Sequence, residues 1–129
     1  MITGFAFTKL HVADLPAMER FYCGCLGFTV TARVDVGADS YNLEELILAV
    51  PGGTTQLNLL HYRGRPVPPA GEAVIGFTVA DLDAAIAAIV AAGGTVTVEP
   101  TAIAEHALRL AYVADPEGHT LELLQYGLA

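Results

Sequence analysis

The chain has 129 residues, 53% of them hydrophobic, with a formal net charge of −8. It is long enough to bury a sizeable core as one domain or as two half-domains sharing a core. No apolar run reaches the roughly 18 residues that span a bilayer, and six Lys plus Arg against fourteen Asp plus Glu, without a basic stripe, argue against nucleic acid. The acidity suits a cationic or neutral small molecule.

Met1 to Phe5 lacks the basic start and apolar stretch of an export signal, so a cytoplasmic location is expected. Phe5 to Val12 predicts a strand with Phe7, Lys9 and His11 on one face and Thr8, Leu10 and Val12 on the other. Asp14 reads as a helix N-cap. Pro16 in the first turn and the spacing Leu15, Met18, Phe21, Tyr22, Leu26 predict a helix of about three turns closed by Gly27. Its neighbours Cys23 and Cys25 point in different directions and are expected to stay reduced. Strands are predicted at Phe28 to Val36, Tyr41 to Val50 and Thr55 to Tyr62, with turns at 37–40 and 51–53.

The segment from Arg63 to Ala73, rich in Pro and Gly, reads as an extended linker. The pattern then restarts: a strand at Val74 to Val79, an N-cap at Asp81, a helix face of Leu82, Ala85, Ile86, Ile89 and Val90 ending at Gly93-Gly94, and strands at Thr95 to Val98, Leu108 to Ala114 and Thr120 to Tyr126. Asp115-Pro116-Glu117-Gly118 fits a type I turn, with His119 expected to be exposed beside it. Glu122 then points away from the face shared by Leu121 and Leu123.

Val-Ala-Asp-Leu occurs at Val12 to Leu15 and again at Val79 to Leu82, and Gln56-Leu57-Asn58-Leu59-Leu60 mirrors Thr120-Leu121-Glu122-Leu123-Leu124. This is a duplicated β-α-β-β-β unit and implies an α+β fold. The expected organisation is a single domain over 1–129 made of modules 4–62 and 73–127 joined by linker 63–72. The uncovered sheet faces are expected to curl around a ligand concavity.

The paired strand-Val-Ala-Asp-Leu-helix units, Phe21-Tyr22 followed by Leu26-Gly27-Phe28, and Asp115-Pro116-Glu117-Gly118 leading to Leu121-Glu122-Leu123 together resemble the vicinal oxygen chelate superfamily, which includes glyoxalase I, extradiol dioxygenases and the bleomycin-resistance proteins. The resemblance implies paired modules forming a cupped mixed sheet, usually in a homodimer. In metal-dependent members it also implies ligands on the first and last strand of each module. Those positions fall on Phe7, Asn58, Val74 and Glu122. Two are hydrocarbon, so no metal and no other cofactor is expected.

Glu122 is then the lone acid of a mostly apolar cavity, set against Lys9 as a salt-bridge partner or left unpaired as a general acid or base. Phe7, Asn58, Val74, Tyr41, His106 and Tyr112 are further ligand-binding candidates, and His11 a catalytic one. No phosphate cradle, nucleophile elbow or His-Glu-x-x-His pattern occurs. The expected function is binding and sequestration of a small organic ligand without metal, as in the bleomycin-resistance proteins. The alternatives are a metal-independent isomerase, cyclase or lyase using Glu122, Lys9 and His11, and a metal-dependent lyase or dioxygenase with a displaced site that uses His11 and His106.

Overall fold

The computed structural model describes residues 1–38 and 41–127. The elements run β1 (Phe7–His11), α1 (Leu15–Glu19) continued by a π-helical turn (Arg20–Cys25), β2 (Thr29–Ala38), β3 (Tyr41–Ala49), β4 (Gln56–Tyr62), β5 (Val74–Thr78), α2 (Leu82–Ala91), β6 (Thr95–Ile103), a 3-10 turn (Ala104–His106), β7 (Leu108–Ala114) and β8 (Thr120–Tyr126). The fold is α+β, with two four-stranded mixed sheets ordered β1-β4-β3-β2 and β5-β8-β7-β6. Each sheet belongs to its own compact unit, Met1–Pro68 or Pro69–Ala129. Half of the turn expected at 37–40, residues 39 and 40, lies outside the described residues.

In the first unit, Leu10, Leu46, Leu48, Leu57 and Leu59 are buried on one sheet face together with Leu15, Met18, Phe21 and Tyr22 of the helical segment. Asp14 caps that segment by accepting from Ala17 N at 3.0 Å. The expected three-turn helix is α-helical only in its first part. Leu26 N donates to Phe21 O across five residues, and this widened turn lets adjacent Phe21 and Tyr22 both go inward, where they meet edge to face at 5.1 Å. Arg33 of β2 clamps the segment to the sheet through a two-pronged pair with Glu19, at 2.7 and 3.0 Å. Asp35 and Glu44 are directly opposed across β2 and β3, a repulsive arrangement. Arg63 relieves it, reaching them at 2.9 and 3.1 Å.

The second unit repeats the plan. Asp81 caps α2 by accepting from Ala84 N at 3.0 Å, Leu82 and Ile89 are buried under it, and Ala111, Val113, Leu121 and Leu123 supply the facing sheet surface. Arg109 of β7 binds Asp83 of α2 at 3.1 and 3.0 Å as Arg33 binds Glu19. These hydrogen bonds hold the carboxyls of Glu19 and Asp83 below the ordinary carboxylate range. β6 runs five residues past the expected Val98, with register shifts between Val96 and Thr101 that accommodate Pro100, which lacks an N–H for the ladder.

The Asp115 turn is closed by Gly118 N donating to Asp115 O at 2.9 Å. His119, expected to be exposed, is buried instead. Asp115 Oδ1 accepts from the backbone N–H groups of Glu117 and His119 at 2.9 and 3.0 Å, and Oδ2 lies 2.7 Å from His119 Nδ1. The carboxylate thus draws the ring into the turn.

α2 ends in a Schellman arrangement, with Gly94 N on Ile89 O at 2.9 Å, Gly93 N on Val90 O at 3.1 Å and Gly93 at φ 97°. A Cβ at Gly94 would lie 2.5 Å from Ile89 Cγ2 and 2.8 Å from Ala114 O. Gly94→Ala therefore forces the helix end off β7, and a loss of about 1–3 kcal/mol is expected in denaturant unfolding. An unchanged midpoint would refute this tight approach.

Candidate functional site

In both units the first and last strands pair in parallel and in the same register. Phe7 opposes Gln56 and Lys9 opposes Asn58 in one, while Val74 opposes Thr120 and Gly76 opposes Glu122 in the other. The duplication therefore equates Phe7 with Val74, Lys9 with Gly76, and Asn58 with Glu122. All six side-chain positions lie on the sheet face opposite the helix, because Leu10, Leu59, Leu121 and Leu123 occupy the covered face.

On the first unit's open face, Lys9 Nζ lies 2.9 Å from Glu45 Oε1, and Asn58 Nδ2 donates to the same oxygen at 3.0 Å. Lys9 thus takes a partner from β3 of its own unit. Glu45 is 7% exposed and Asn58 2%, so the carboxylate is buried and held by one ammonium and one amide. Phe7 completes the corner, its ring centroid 5.1 Å from Lys9 Nζ. Glu45 did not figure among the sequence candidates. The signal was the alternation Leu43, Glu45, Ile47, Ala49 along β3, which places one acid in an otherwise apolar row.

On the second unit's open face, Glu122 is half-buried between Gly76 of β5 and Tyr112 of β7. Its negative charge, burial and a hydrogen bond to the carboxylate push the Tyr112 hydroxyl above its ordinary range. Gly76 leaves open space beside the carboxylate, and exposed Val74 lies two residues along on the same face. Among the described residues Glu122 makes no ion pair. Gly76 also escaped the sequence reading, which treats a strand glycine as weak structure rather than as room for a ligand.

The remaining candidates are dispersed. His11 stacks on Tyr62 with ring centroids 5.8 Å apart, and the Arg65 guanidinium lies 4.2 Å from the Tyr62 ring centroid. With Leu60 and the Pro66–Val67–Pro68 segment these line a small cleft open to solvent, about 120 Å³ in volume. Tyr41 stands exposed at the start of β3, and His106 is exposed in the 3-10 turn before β7. Burial pushes the thiols of Cys23 and Cys25 up, which blunts their nucleophilicity.

Comparison with known proteins gives this geometry its family. Residues 4–123 match the model of the Glyoxalase/Bleomycin resistance protein/Dioxygenase superfamily, and the chain belongs to that superfamily. A relative from Vibrio cholerae, assigned by name to the lactoylglutathione lyases, is 30% identical over 92% of this chain and 87% of its own length. Another, from Brassica oleracea var. gemmifera and assigned the same name, is 29% identical over 95% of this chain, which spans only 44% of that longer relative. A crystal structure of a glyoxalase family protein from Bacillus cereus superposes with a TM-score of 0.85 at 18% identity, over 98% of this chain and 97% of that one; it bears on the fold alone.

The residues at the four metal-ligand positions implied by the superfamily do not fit a divalent transition metal. Phe7 and Val74 carry no lone pair. Asn58 spends its amide nitrogen on Glu45, and the Lys9 ammonium opposite it would repel a second cation. Nor do the described residues hold any group of three or more His, Cys, Asp or Glu side chains able to bind a metal elsewhere.

Lys9→Met strands the buried Glu45 charge. Because the Lys9 side chain is 35% exposed and water screens part of the pair, a loss of about 1–3 kcal/mol is expected in denaturant unfolding. Lys9→Met/Glu45→Leu should recover most of it. A double variant no more stable than the single one would refute the pairing.

Proposed function

We propose that the chain is a metal-free small-molecule-binding member of its superfamily, which sequesters an organic ligand in an apolar cleft, acting in the cytoplasm as a homodimer. The carrying observation is the state of Glu122: a half-buried carboxylate on an open strand face, with Val74 and Gly76 beside it and no cationic partner among the described residues. A carboxylate so placed favours a ligand bearing a positive charge or a hydrogen-bond donor. The free, packed cysteines suit a reducing compartment, and no helix of the described residues is long and apolar enough to cross a membrane. Protein purified without chelator or metal-affinity tag, then titrated with a panel of aromatic amines, tests this reading. Substoichiometric metal, micromolar binding that weakens about tenfold in Glu122→Gln, and a dimer mass by light scattering are expected. Stoichiometric metal, or no binder in the panel, would overturn it.

A second reading has its own observation. The coupling of Glu122 to Tyr112 supports a general acid or base with a proton-bearing neighbour. The relatives' assignment as lactoylglutathione lyases points to isomerisation or elimination on a carbonyl compound. Loss of at least a hundredfold in turnover is expected for Glu122→Gln, in line with removal of a general acid or base. An unchanged rate excludes the mechanism.

A further inference from the structure

The Lys9–Glu45–Asn58 cluster holds one atom whose bonding is incomplete. Asn58 Oδ1 is buried and has no hydrogen-bond partner, and among the described residues it is the only such side-chain atom. Its orientation is dictated by chemistry: Nδ2 donates to Glu45 Oε1 at 3.0 Å, and the reversed amide would set oxygen against carboxylate oxygen. Native interiors leave few acceptors unpaired, and an orphan calls for a water or another donor. Directly across the β1–β4 ladder stands Lys9, whose ammonium has three N–H groups and spends one on Glu45. An exposed donor and a buried acceptor therefore stand on neighbouring strands, tied to one buried carboxylate.

We propose that this cluster is a recognition subsite for a neutral carboxamide group of an organic ligand, its carbonyl oxygen accepting from Lys9 and its N–H donating to Asn58 Oδ1. A carboxylate of the same shape has no N–H to offer and sets a charged oxygen against Oδ1, close to Glu45. An ammonium satisfies Oδ1 but meets Lys9. The amide suits both partners at once. Lys9, the exposed member of the three, shifts as the amide seats, and the Phe7 ring 5.1 Å from its Nζ offers a flat surface to an adjoining aromatic group. The second unit has Gly76 and Glu122 at the matching positions, so the chain carries this subsite once.

The proposal rests on the reading that the chain holds an organic ligand, and benzamide and benzoate, near-identical in shape, separate the two ideas. Both are titrated at millimolar concentration into isotope-labelled wild-type protein, with NMR following the Asn58 side-chain amide and the Tyr112 ring. Benzamide is expected to shift the Asn58 signal and to bind about tenfold more tightly than benzoate, roughly the worth of one hydrogen bond. Asn58→Leu, which keeps the volume and removes the orphan acceptor, is expected to abolish that preference. Because the wild-type comparison is decisive alone, a Leu variant that fails to fold does not spoil the test. Equal affinities overturn the subsite. A shift confined to Tyr112 overturns it while sparing ligand sequestration. An Asn58 signal indifferent to both compounds assigns Oδ1 to a structural water and overturns it too.

Discussion

Parallel pairing of the first and last strand within each unit decides which side chains share an open face. Because side chains alternate along a strand, a slip of one residue in either pair would exchange the covered and open faces. Leu10 and Leu59, like Leu121 and Leu123, resist that slip, since each would lose its place under a helix. The hydrophobic core is thus what holds Lys9 against Asn58 and Gly76 against Glu122. The polar chemistry of both faces is a by-product of where leucines must go.

The two copies of the unit have used the same positions differently. One carries a bonded cluster on its face: Lys9 and Asn58 both bind Glu45, and the Asn58 carbonyl oxygen is left unpaired. In the other, glycine replaces the lysine, tyrosine stands beside the acid, and the acid is not neutralised by any described cation. Low dielectric strengthens every pair on the first face and penalises any charge left over. The second face stays receptive because Glu122 keeps contact with solvent. Divergence of this kind is available to a duplicated fold, since each sheet carries its own helix, caps and salt-bridge clamp.

What could be read from the sequence was local. Asp14 and Asp81 cap helices, Gly93-Gly94 ends one, and Val-Ala-Asp-Leu recurs because strand-to-helix junctions are made by adjacent residues. The two-residue period placed Glu122 opposite the leucines, and the structure agrees. The partner of Lys9 was beyond such reasoning, for it depends on β3 lying next to β4 and on the length of a side chain reaching across. His119 was misjudged for a related reason: a hairpin position implies solvent, but one carboxylate with three donors around it can pull a ring inward. The π-helical turn leaves no mark in residue spacing, because it changes how far the backbone winds rather than which residues are apolar.

The arginine clamps matter beyond the packing of helices. With six basic residues in all, Lys9, Arg33, Arg63 and Arg109 are each committed to a carboxylate within the chain, while the acids exceed the bases by eight. What a solute meets from a distance is therefore a field of one sign. Positively charged solutes are gathered and anionic ones slowed before any contact forms, by an amount that fades as added salt shortens the reach of the field. The excess of carboxylates over bases thereby biases the rate at which different solutes arrive, a selectivity exercised at long range and independent of the shape of any cleft.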